Sequence, residues 1–66
     1  MSTKTDAKKL LADALLKVES KSIRDWVADA HNKPIWLKIA EESVKKNAHP
    51  DPTTFATYIV CVAIGA

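Results

Sequence analysis

Apolar residues recur at helical spacing along most of this chain. In Ala7-Lys-Lys-Leu-Leu-Ala-Asp-Ala-Leu-Leu-Lys-Val18, Ala7, Leu11, Leu15 and Val18 fall on one face, which Leu10 and Ala14 widen. That register predicts an amphipathic helix with Thr5 or Asp6 as its N-cap. Ser20 or Ser22 can cap a second helix, in which Ile23, Trp26, Val27 and Ala30 follow the i, i+3, i+4, i+7 rule while Arg24, Asp25 and Asp29 face solvent. His31-Asn-Lys33 breaks the pattern. Pro34 biases Lys33 away from helical angles and itself suits the first position of a third helix. There Ile35, Trp36, Ile39, Ala40 and Val44 form the stripe, with Leu37 outside the neatest fit. Asn47 is the expected left-handed C-cap, and Lys45 and Lys46 complement the helix dipole before it.

Asn47-Ala-His-Pro-Asp-Pro52 reads as a turn, after which Asp51 as N-cap and Pro52 as first helical residue open a fourth segment. From Pro52 to Ala66 the chain carries no charge, and Tyr58-Ile-Val-Cys-Val-Ala-Ile64 is continuously apolar. Such a run, rich in β-branched residues, fits a buried helix or a buried strand equally by periodicity. The caps and the lack of any other strand favour helix; a strand paired with its own copy in a dimer is the alternative. The expected fold is therefore all-α, a single domain formed as a small bundle of three to four short helices, with the apolar C-terminal helix at its centre. Residues 1–4 are expected to be flexible. The only glycine, Gly65, lies at the end of the chain, which excludes glycine-dependent hairpin turns and phosphate-cradling loops.

At 66 residues the chain is one small domain whose core leaves little stability to spare, so a partner or self-association would help it. Ten Lys/Arg against eight Asp/Glu, net +2, is too even a balance to announce nucleic acid or an anionic membrane. The lone cysteine cannot form an intrachain disulfide, and the polar N-terminus lacks the apolar core of a signal peptide, so the cytoplasm is the expected compartment. The apolar C-terminal run is shorter than the roughly 18–20 residues that cross a bilayer. Shallow membrane insertion is a minor alternative.

No residue pattern carries an enzyme's chemistry, and none implies a cofactor. His31 and His49 lie in separate turns without metal-ligand spacing, and Cys61, between Val60 and Val62, is expected as a buried hydrophobe. Glu41 and Glu42 diverge by about 100° on a helix and form no acid–base pair. With Lys38, Lys45 and Lys46 they have the spacing of surface ion pairs. Trp26 fits a core stripe. Ile35, Trp36 and Leu37 spread too widely round a helix to share one core, so part of that knot belongs either to a binding surface or to a second packing face.

Two functions follow as expectations. The first is a non-enzymatic protein–protein interaction module, an accessory subunit, inhibitor or adaptor of the kind phages and plasmids encode, or a homo-oligomer. Its binding residues would be Lys33, Ile35, Trp36, Leu37 and Lys38, with Trp36 as the anchor. The second is a DNA-binding regulator. Ile23-Arg-Asp-Trp-Val-Ala-Asp-Ala-His-Asn32 resembles the first helix and turn of helix-turn-helix domains, over roughly a third of the chain. That resemblance implies phosphate contacts from Arg24, Lys33, Lys38, Lys45 and Lys46. Glu41 and Glu42 on the reading helix, and the missing turn glycine, depart from the pattern.

Overall fold

The computed structural model describes residues 3–48 and 51–65. Four helices follow one another: α1 (Thr3–Lys17), α2 (Lys21–Ala28), α3 (Lys33–Lys46) and α4 (Pro52–Gly65). Among the described residues there is no strand, and the uncharged C-terminal run is helix from Pro52 to Gly65. α1 packs against both α3 and α4, and α2 lies against α3. The radius of gyration, 10.8 Å, equals the value of about 11 Å expected for a collapsed chain of this length, so α4 folds back on the others and does not project.

α1 starts earlier than its spacing predicts: Asp6 lies in its first turn and is not its cap, and Thr3 and Lys4 belong to the helix. Its buried face is Ala7, Leu10, Leu11 and Ala14, with Val18 buried just past the end, where its N–H donates to the Leu15 carbonyl. Ser20 caps α2 by accepting the Ile23 N–H. α2 stops at Ala28, two residues before the end of its apolar spacing, because Asp29 organises a turn. Its carboxylate accepts the His31 N–H, and its carbonyl accepts the N–H groups of Asn32 and Lys33. Ala30 is therefore exposed in the turn, not part of a helical stripe. Asn32 donates its side-chain amide to the Trp26 carbonyl at 2.9 Å, closing the end of α2.

Asn47 ends α3 in the left-handed conformation, φ 54°, as expected. Its N–H reaches the Ser43 and Val44 carbonyls, and the Ala48 N–H returns to Ser43. This pairing satisfies carbonyls that a helix end otherwise leaves open. Asp51 accepts the Thr54 N–H at 3.1 Å and the Thr54 hydroxyl at 2.6 Å, and Pro52 is the first residue of α4.

The core centres on Trp36, 3% exposed. Trp26 meets it edge-on at 5.8 Å between ring centroids, Tyr58 at 6.0 Å and Phe55 at 6.1 Å. Every aromatic side chain of the protein thus belongs to one cluster that joins α2, α3 and α4. Phe55, Ile59 and Val27 are the largest side chains fully removed from solvent. The buried line of α3 is Trp36, Ala40 and Ser43, which span about 60° of arc at 100° per residue. Leu37 packs at the edge of that line against the core, whereas Ile35, about 200° further round from Leu37, is 53% exposed. The expected stripe is corrected accordingly: Leu37 enters and Ile35 leaves.

α4 is half-covered, not central. Phe55, Ala56 and Ile59 are buried, but Cys61 is exposed and Ile64 is 77% exposed. The expectation of a buried Cys61 fails because a helix in so small a bundle has neighbours on one side only. Sequence around Cys61 is apolar on every face and so could not indicate which face is covered.

Candidate docking groove

The residues singled out in the sequence do not converge on one surface. Trp36 is inside the core, Ile35 points outward, and Leu37 is half-buried between them. Trp36 is therefore beyond the reach of a partner's side chains in this fold, and its bulk acts by fixing α3 against α2 and α4. Lys33, Leu37 and Lys38 do share a surface, together with α1 residues that the sequence reading left out.

That surface is a groove between α1 and α3. One section, about 360 Å³, is lined by Leu11, Ala12 and Leu15 of α1, Val27 and Ala28 of α2 and Leu37 of α3, with Lys8 and Lys33 at its edges. A neighbouring section of about 320 Å³ is lined by Lys4, Ala7, Lys8, Pro34, Leu37, Lys38 and Glu41. Lys8 and Leu37 line both sections, so the two form one continuous depression. Its floor is aliphatic and its rim holds four lysines and one carboxylate. Helical periodicity on α1 placed Leu11 and Leu15 on the inner face. That Ala12 and Lys8 stand at the lip of a groove follows only from how α1 crosses α3.

The candidate phosphate contacts are dispersed or already engaged. The Arg24 guanidinium donates to the carbonyls of Val18 and Glu19 and so caps the open end of α1. The solvated role read for Arg24 in the sequence is corrected by this: the side chain is half-buried in a structural contact. Lys46 pairs with Glu42 at 3.6 Å, one of the surface spacings expected on α3. Lys33 and Lys45 are twelve residues apart on one helix, about 18 Å along its axis. α3 is also the helix around which the core is built, with only part of its circumference free.

His31 is exposed in the turn after α2, and His49 lies outside the described residues. Among the described residues no three His, Cys, Asp or Glu side chains gather. The Asp51 carboxyl is held below its ordinary value by the hydrogen bonds from the Thr54 hydroxyl and the Thr54 N–H. Among the described residues no helix is long and apolar enough to cross a membrane.

No protein-family model, no curated protein and no solved structure matches this chain.

Proposed function

We infer that this protein is a non-enzymatic helical docking module that binds another protein through the α1–α3 groove, in the manner of an accessory subunit, inhibitor or adaptor. The observation that carries this reading is the groove itself: an aliphatic floor, open to solvent, on a domain too small to leave apolar surface uncovered without cost. Binding sites of this kind combine an apolar centre with a charged rim, the first supplying affinity and the second orientation. Of the residues expected from the sequence, Lys33, Leu37 and Lys38 keep a binding role. Ala12, Leu15 and Lys8 join them.

The reading is tested by capture from cell lysate with tagged protein after nuclease treatment, comparing the unmodified chain with Ala12→Glu in the groove and Lys45→Glu away from it. One protein retained by the unmodified chain and by Lys45→Glu, and lost with Ala12→Glu, is the expected result. Equal retention by all three overturns the groove assignment. A catch that disappears with nuclease overturns the protein-docking reading in favour of nucleic acid.

A further inference from the structure

Taking the docking reading as its premise, we propose that the α1–α3 groove receives an acidic amphipathic helix of a partner protein, about three turns long. The length comes from the walls. Lys4 and Leu15 mark the two ends of the groove on α1, and eleven residues of helix rise about 16 Å, three turns of an occupant lying alongside.

The occupant's backbone is chosen by hydrogen bonding. The walls are helices, α1, α3 and the end of α2, whose N–H and carbonyl groups pair internally outside their end turns. An extended peptide pressed into the groove would lose water from its backbone without gaining partners, which costs free energy at each unpaired group. A helix brings its hydrogen bonds with it and needs to offer only a line of apolar side chains at i, i+3, i+4 and i+7. Leu15 and Leu37, both half-buried, and the exposed Ala12 are what such a line would cover.

The occupant's charge is chosen by the rim. Lys4 and Lys8 stand on the α1 side and Lys33 and Lys38 on the α3 side, with Glu41 the single carboxylate among the described residues that line the groove. Among the described residues the ion pairs lie elsewhere, Lys21 with Asp25 and Lys46 with Glu42, and none involves these four lysines. Lys33 also opens α3, whose first turn contains no carboxylate. A cation there opposes the helix dipole, and carboxylates from outside turn that local cost into attraction. A second copy of this chain is a poor occupant, since its most apolar helix, α4, carries no charge to meet the lysines. DNA would satisfy the lysines but leave Ala12, Leu15 and Leu37 without an apolar complement.

The test titrates the full chain into a labelled, helix-stapled three-turn peptide with leucines on one face and glutamates beside them, followed by fluorescence anisotropy. Controls are a scrambled peptide of the same composition, a peptide with lysines for the glutamates, and a short DNA duplex. The amphipathic acidic peptide should bind at least about tenfold tighter than the scramble, and more weakly as salt rises. The double variant K8E/K33E, both positions being exposed, should lose about tenfold for the acidic peptide and gain affinity for the lysine peptide. Equal binding of the scramble, preference for the duplex, or indifference to K8E/K33E overturns the proposal. Should the acidic peptide fail while Ala12→Glu still abolishes capture of a cellular protein, the groove docks a partner of different chemistry. The present inference then falls and the docking reading stands. If that capture is also unaffected, both fall.

Discussion

Replacing Trp36 separates a core role from a surface role, and its cost can be worked from the structure. The indole is 3% exposed and meets three other rings edge-on between 5.8 and 6.1 Å. Truncating a buried aromatic to alanine costs about 3–5 kcal/mol, and the loss of three edge contacts places Trp36→Ala in the upper part of that range. A domain of this length holds roughly 3–10 kcal/mol in all, so the variant should lose about half of its stability or more. Trp36→Phe keeps one ring in the cluster and should cost about 1–2 kcal/mol, some 4–16 °C in Tm. Urea denaturation followed by far-UV circular dichroism measures both. Near-UV dichroism, which reports the ring cluster, should collapse in the alanine variant and persist in the phenylalanine one. A Trp36→Ala protein with an unchanged denaturation midpoint would refute the reasoning, because the ring would then have to lie on the surface.

Substitutions at three other positions follow from the helix ends. Arg24→Met removes the guanidinium from the Val18 and Glu19 carbonyls and should lower stability by about 1–2 kcal/mol, the contact being only half-buried; a Tm equal to that of the unmodified chain contradicts the capping role. Asn47→Ala, at φ 54°, should cost about 1 kcal/mol in chemical denaturation while Asn47→Gly costs none; the reverse order would count against a left-handed cap. Asp51, with its carboxyl lowered from 3.8 by Thr54, adds stability that is complete above the unfolded value and is lost as pH falls through the folded one. The Tm difference between the unmodified chain and Asp51→Ala should therefore be constant above about pH 5 and shrink below about pH 4, and a difference that grows on acidification would reverse the sign argued here.

The helices and their ends were legible because their determinants are local. Ser20, Asn47, Asp51 and Pro52 act on backbone groups within a few residues, so capping chemistry alone places two of the three connections. The inner faces of α1 and α2 were legible as well, since amphipathic spacing distinguishes covered from solvated positions wherever polar residues mark the outside. Where such contrast is missing, the sequence is silent. Ile35, Trp36 and Leu37 are adjacent and alike, and only the packing of α1, α2 and α4 against α3 decides that Trp36 is enclosed, Leu37 half-covered and Ile35 free. Cys61 is set in a segment apolar all round, and its exposure follows from α4 having neighbours on a single side.

The sequence by itself therefore determined an all-α chain with its breaks and caps, through interactions spanning one to four residues. Tertiary structure alone decided the groove, because Lys4 and Lys8 on α1 and Lys33 and Lys38 on α3 are separated by some thirty residues of chain and become neighbours only when hydrophobic burial sets one helix against the other. The same packing committed the single arginine to the end of α1 and drew the four aromatic residues into one cluster. Side-chain chemistry along the chain names the candidates for a binding surface, and the packing of non-adjacent helices selects among them.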